Sequence, residues 1–315
     1  MVRRNVGEWK RLGPRLRARN YLGVIGHVNM DVVYAVPRLP LPGTSIDAKS
    51  VSVHFGGTAG NIAVHSSSLD VTTALGCYLG GDFDESFASL LRKKSIDLYD
   101  AILCYSERTP RCHIFDTGEE QSYVIEQGAM NTKMNLPLWE HAICDSTVVH
   151  IATGDPLRYL KAVSGRDYNF DPGQEINYRY TPATFRKLLS GCSVFFTNQK
   201  ELEKAMSLLN ISSERELCSY CRTVILTSGR KGASIITADG RIEISAARAA
   251  KVEDTIGAGD AFRAGYYAAR FRGKDIVEAV EIGNTMAAIS VEGRGGMGSG
   301  SDWASLHSRW KETYG

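Results

Sequence analysis

The sequence predicts an α/β fold, a parallel sheet covered by helices on both faces, with a second and smaller β-sheet standing apart from it. Two observations carry that expectation. From Tyr21 onward, short apolar runs ending in glycine or polar turns alternate with helical stretches. Interrupting this alternation are two segments whose short strand-like runs have no helix between them. The chain has 315 residues, 43% of them apolar and 23% charged, which suits a soluble globular protein with a large core.

The first twenty residues read as a basic tail, with the folded domain spanning 21–315. Arg3, Arg4, Lys10, Arg11, Arg15, Arg17 and Arg19 are opposed there only by Glu8, and no apolar core of a signal peptide is present. That tail supplies most of the net charge of +2. The remainder is mildly acidic, which argues against a nucleic-acid partner. No run approaches the roughly 18–20 apolar residues of a membrane span. The seven cysteines are odd in number and scattered through apolar segments, as in a reduced cytoplasmic protein. Cys218 and Cys221 form a lone CxxC without a second pair or nearby histidines, so zinc is not expected.

Residues 21–26 form an apolar run ending in glycine and read as a buried strand. Residues 59–69 read as a helix after a glycine pair, 72–79 as a strand, and 85–94 as a helix with Phe87, Leu90 and Leu91 on one face. Pro37, Pro40, Pro42 and Gly43 cut residues 31–55 into pieces too short for a βα unit. Residues 111–116 and 121–126 are strand-like around a Thr-Gly-Glu-Glu turn. The small sheet is therefore drawn from about 32–56 and 108–127. Strands at 148–152, 169–171, 194–198 and 224–228 restore the alternation. A hairpin around Asp239-Gly240 and helices at 261–270 and 275–291 close it. In such a sheet, ligands bind at the carboxyl ends of the strands.

Residues 254–260, Asp-Thr-Ile-Gly-Ala-Gly-Asp, run directly into a helix. A tight turn through Gly257, Ala258 and Gly259 aims unpaired N–H groups and the helix dipole at one point, a place for phosphate. Asp260 sits in that first turn as a weak but available base, or simply as a charge serving the dipole. Gly56 and Gly57 precede a helix bearing Asn61, and let a ligand lie against backbone. Asn29 and Asp31 alternate onto one side and can grip hydroxyls together. Asn198 and Glu201, one turn apart, are placed to hold magnesium-bound water, or to cap a helix. Thr227, Gly229 and Gly232 mark a strand end and basic turn suited to nucleotide. A GxxxxGK[ST] loop is missing, the 293–300 glycine stretch reads as a terminal loop, and the histidines lack ligand spacing.

Taken in order, these motifs resemble the ribokinase (PfkB) family of carbohydrate kinases, over nearly everything from Tyr21 to about Gly300. DTxGAGD stands at residues 254–260, GGxxxN at 56–61 with Gly80-Gly81-Asp82 after it, and NxxE at 198–201. The resemblance implies a Rossmann-like, ribokinase-like domain with a small β-sheet lid, and transfer of the ATP γ-phosphoryl group to a hydroxyl of a small sugar-like acceptor. It implies Asp260 as base, residues 256–259 as anion hole, and Asn29, Asp31, Gly56, Gly57 and Asn61 around the acceptor. Asn198 and Glu201 would organise Mg2+ and phosphate, Glu201 through water. Thr227, Gly229 and Gly232 would border ATP, with Asn284 on the adenine side. Some members use a monovalent cation such as K+, and Asp254 with the loop near Gly295 is where it would sit.

Two departures shape the expected acceptor. Thr58 stands where bacterial ribokinases carry lysine, and Asp155 stands in place of their acidic closing element. The GGTAGN form looks more like the family's nucleoside kinases, with a nucleoside 5′-hydroxyl or ribose as acceptor. The alternatives are a hexose or 2-keto-3-deoxy sugar acid, with Arg111 as the cation, or a non-catalytic sensor on the same fold. An exposed lid sheet invites a homodimer.

Overall fold

The computed structural model describes residues 8–16, 18–297 and 300–315. The chain opens with β1 (Trp9–Arg11), β2 (Asn20–Ile25), β3 (Asn29–Ala35), β4 (Ser50–Gly56) and helix α1 (Thr58–Ser68). Next come β5 (Thr73–Gly80), α2 (Glu85–Lys93), β6 (Ala101–Cys104), β7 (Arg111–Asp116), β8 (Gln121–Glu126) and α3 (Glu140–Cys144). Three βα steps follow: β9 (Ser146–Ile151) with α4 (Pro156–Ala162), β10 (Tyr168–Phe170) with α5 (Pro182–Ser190), and β11 (Cys192–Asn198) with α6 (Gln199–Leu209). The last elements are β12 (Thr223–Thr227), β13 (Ala233–Ile236), β14 (Arg241–Ile244), α7 (Ala258–Phe271), α8 (Ile276–Ser290) and α9 (Trp303–Tyr314).

Among the described residues ten strands form the main sheet, in the order β1-β6-β5-β2-β9-β10-β11-β12-β13-β14. From β6 through β12 neighbouring strands are parallel. The central strands are buried on both sides, so they read as unbroken apolar runs rather than alternating ones. In β5 all residues are buried: Leu75, Cys77 and Leu79 pack into the core under α1, α2, α7 and α8, while Ala74 and Tyr78 face the core under α3 to α6. Gly76 in that strand leaves room for Trp139, whose ring would lie 2.8 Å from an added Cβ.

The four-stranded lid, ordered β4-β3-β7-β8, is built from two excursions. One leaves the carboxyl end of β2 and the other that of β6, so the lid stands over the end of the sheet where ligands bind. No helix among the described residues is long and apolar enough to cross a membrane.

Three expectations are corrected. The segment read as a free tail contributes β1, which pairs antiparallel with β6, and Arg11 forms an ion pair with buried Asp100. Basic composition concealed this, because edge strands tolerate exposed charge; Arg3, Arg4 and Arg17 lie outside the described residues. The lid begins at Asn29 rather than near 32, which places Asn29 and Asp31 on its innermost strand. The chain after Gly300 forms α9, whose Leu306 and Trp310 join the core.

Arg11 also donates to the Tyr99 carbonyl at 2.9 Å. Arg11→Ala leaves Asp100 buried without its cation and should destabilise the protein by about 2–3 kcal/mol, at the lower end for a broken buried pair because Arg11 is partly exposed. Denaturant unfolding measures this, and a solvated tail would give no change.

Candidate active site

A cleft of about 370 Å³ opens between the lid and the carboxyl ends of the central strands. Asn29 and Asp31 project from β3 on one side of the strand, and Asn29 Nδ2 donates to Asp31 Oδ1 at 2.5 Å. The glycine pair is explained by these two side chains. A Cβ on Gly56 would lie 2.1 Å from Asp31 Oδ2, and one on Gly57 would lie 2.5 Å from Asn29 Oδ1 and from the His27 carbonyl oxygen. Gly57 also has φ +92, a conformation costly for any other residue. Gly57 lines the cleft; Gly56 serves by making space for Asp31.

Asp260 is 8% exposed on the first turn of α7. Its Oδ2 accepts from Asn61 Nδ2 at 2.7 Å, which joins the two glycine motifs across 199 residues of sequence. Gly257, left-handed at φ 76, starts α7 without a side-chain cap. The N–H groups of Gly259 and Asp260 therefore have no acceptor within the helix, and both residues line the cleft, where a helix N-terminus would stabilise an anion. Ile256, Gly257 and Gly259 line the cleft, whereas Ala258 serves the turn and its N–H bonds Thr255. The 293–296 loop is packed against this turn rather than free. Gly295 N–H donates to Asp254 Oδ2 at 2.9 Å, and a Cβ on Gly257 would meet the Gly296 oxygen at 2.5 Å. The other Asp254 oxygen accepts from Ile256 N–H at 3.0 Å, so Asp254 ties the turn to the loop.

At the opposite end, Asn198, Glu201 and Thr227 line the cleft. Asn198 and Glu201 cap α6 reciprocally: Asn198 Oδ1 accepts from Glu201 N–H and Glu201 Oε2 from Asn198 N–H, both at 3.0 Å. The capping reading therefore holds, and the cap engages only one Glu201 carboxylate oxygen. Glu201 is buried and pushed up to about 7, first by burial and next by Asp171, so a nearby cation would favour its charged form. It fits the single water-mediated carboxylate that a phosphate-bound Mg2+ takes.

Gly229, Gly232 and Asn284 do not line the cleft. Gly232 is required by its backbone, with φ +100 and a Cβ position 2.1 Å from the Ile244 oxygen. Asn284 donates to the Ser245 carbonyl at 3.0 Å and so braces the chain after β14. Asp155 caps α4, accepting from Leu157 N–H at 2.9 Å, and lies 3.7 Å from Arg158. Thr153 faces the cleft in its place.

Sequence reasoning missed Arg263, Asp171, His27 and Glu175, all of which line the cleft. Arg263 Nε pairs with Asp171 Oδ2 at 2.5 Å, both buried. Asp171-Pro-Gly after a strand was a usable signal, whereas Arg263 is one more polar residue in a helix. His27 Nδ1 lies 3.0 Å from Thr153 Oγ1 and 3.8 Å from Glu175 Oε1, and burial pushes its pKa down, leaving a neutral ring. His27 Nε2 and Glu175 Oε2 are buried without a partner. Opposite them, Cys112, Ile114, Tyr123 and Ile125 of the lid form an apolar wall.

Burial pushes Asp260 up to about 7, against the lowering effects of Arg263 and Asn61, and does the same to Asp31. A carboxyl group raised on folding stabilises the protein below its unfolded value near 4, and that stability is lost as pH rises toward 7. Asp260→Asn should therefore raise Tm at pH 8 and change it little at pH 4. Calorimetric melts at the two pH values test this, and an equal effect at both would count against it.

A family model described as pfkB family carbohydrate kinase matches residues 19–303. A nucleoside kinase of Methanocaldococcus jannaschii is 34% identical over 86% of this chain and 90% of its own length. A nucleoside kinase of Methanothermobacter thermautotrophicus is 30% identical over 86% and 89%. The solved structure of the Methanocaldococcus jannaschii nucleoside kinase superposes with a TM-score of 0.84 at 30% identity, covering 94% of this chain and 99% of that one.

Proposed function

The chain belongs to the pfkB family of carbohydrate kinases, and we propose that its acceptor is a nucleoside, phosphorylated on the 5′-hydroxyl. It is an ATP-dependent phosphotransferase acting on a sugar or nucleoside hydroxyl. The observation that carries the finer reading is the mixed lining of the cleft. Asn29, Asp31, Gly57 and Asn61 suit a ribose, and the same cleft is lined by apolar lid residues and by His27 and Glu175, each with a buried unpartnered polar atom. Such a combination suits a flat heterocycle with hydrogen-bonding edges. Relatives that are nucleoside kinases support the same choice.

In this reading the acceptor hydroxyl lies against Asp260, which takes its proton as the oxygen attacks the γ-phosphorus. A weak base suffices because the transition state is loose and catalysis is mostly positioning and charge stabilisation. The N–H groups opening α7 stabilise the transferred group. Mg2+ arriving with ATP would neutralise phosphate charge, with Glu201 holding one of its waters. A sugar-acid acceptor is less well served, because Arg111 donates to Asp82 Oδ2 at 2.9 Å and does not line the cleft. All seven cysteines are free thiols, which fits a reducing, cytoplasmic compartment.

ADP release should be seen with nucleosides and be weaker with ribose, fructose or 2-keto-3-deoxygluconate, and Asp260→Asn should cut kcat by about 100-fold or more. Turnover confined to a sugar acid would overturn the nucleoside assignment.

We also infer a homodimer through the outer face of the lid. The register places Tyr34, Val53, Phe115 and Val124 on the side away from Asp31 and Cys112, and Tyr34 stacks on Phe115 at 5.2 Å. Val53 and Val124 are 56% and 59% exposed, a costly apolar surface for a monomer. Light scattering should give twice the chain mass, falling to one chain in Val53→Lys. A wild-type mass of one chain at micromolar concentration refutes it.

A further inference from the structure

By local rules, Arg263 is misplaced. The first turns of a helix carry partial positive charge and disfavour a cation, and burying a guanidinium adds a desolvation cost. Arg263 is nonetheless 5% exposed, three residues past Asp260, and lines the cleft. Carboxylates from separate elements offset the cost. Asp171, in the turn after β10, forms an ion pair with Nε at 2.5 Å, and Asp260 on α7 and Glu201 on α6 add attraction. Nη1 donates to the Gly259 carbonyl at 2.7 Å, which fastens the guanidinium to the turn bearing the base. Phe196 covers it, with Cζ 5.4 Å from the ring centre.

The charged groups acting on Asp260 are Asp31 from β3, Asp171 from the β10 turn and Arg263 from its own helix, and Glu201 faces Arg263 from α6. One cation thus stands among several acids. Without it the base would face carboxylates alone and would hold its proton.

We propose that Arg263, held by Asp171, is a positioning residue for phosphoryl transfer: it fixes the Gly259–Asp260 turn and keeps the Asp260 carboxylate charged, ready for the acceptor's proton. This rests on the reading of Asp260 as base. In the step it serves, the acceptor oxygen bonds the γ-phosphorus, the bond from that phosphorus to the β,γ-bridging oxygen breaks to release ADP, and the hydroxyl proton passes to Asp260.

The experiment compares pH profiles of kcat/KM from pH 5 to 9 for wild type, Arg263→Gln, Arg263→Lys and Asp171→Asn. Arg263→Gln should move the acid limb up by about one pH unit or more, since an adjacent opposite charge is worth that much. Arg263→Lys should keep the limb near its wild-type position. Asp171→Asn, which removes a negative charge, should move it down. Limbs that stay in place in folded variants, with only Tm reduced, would reduce Arg263 to a structural role and overturn the proposal. If Arg263→Gln does not fold, the Asp171→Asn shift decides alone. Infrared titration of the protonated-carboxyl band absent in Asp260→Asn reads the same midpoint without turnover. Missing turnover then overturns the functional reading, while an unmoved band overturns the role of Arg263.

Discussion

The site depends on keeping several carboxylates close together and away from water at the carboxyl ends of the central strands. Asp31, Asp171, Glu201 and Asp260 are all buried, on four different elements, and Arg263 is the buried cation among them. In water these groups would separate and ionise independently. Enclosed, Asp31, Glu201 and Asp260 have their pKa raised, first by burial and, for Glu201 and Asp260, also by the neighbouring Asp171, so every ionised form needs a hydrogen bond or a counter-charge. Much of the local architecture answers that need: Asn29 for Asp31, Asn61 for Asp260, and the α6 cap for Glu201.

Glycine is the second constraint, and it works by subtraction. The glycines of the two motifs leave volume that the functional side chains occupy. Gly56 and Gly57 admit Asp31 and Asn29, and Gly257 admits the 293–296 loop against the phosphate-facing turn. The motif residues are therefore coupled pairs: a glycine on one element is half of a polar contact on another. Changing either half disturbs the other through steric contact rather than through the ligand.

Much of the fold was legible. Periodicity and turn residues located the strands and helices to within a few residues, because burial on two faces and capping chemistry are written locally. The strands 111–116 and 121–126 agree to the residue. The errors share one cause. β1 and α9 are short or polar elements that exist because a partner surface was already there, β6 for one and the α8 face for the other. Asp155 and Asn284 were expected at the site from the resemblance, yet in space Asp155 caps its own helix and Asn284 bonds the Ser245 carbonyl after β14.

The sequence alone located the residues proposed as phosphate-facing turn, base and acceptor-gripping pair, since each is a contiguous motif whose proposed chemistry follows from a few adjacent residues. The tertiary structure alone decided which charges meet. Asp171 and Arg263 are 92 positions apart and Asn61 and Asp260 are 199 apart, with nothing in their local sequence announcing the contact. Strand order brings their elements to one end of the sheet, and burial there turns ordinary carboxylates into a coupled set. Electrostatic coupling depends on distance and dielectric, and both are properties of the folded chain.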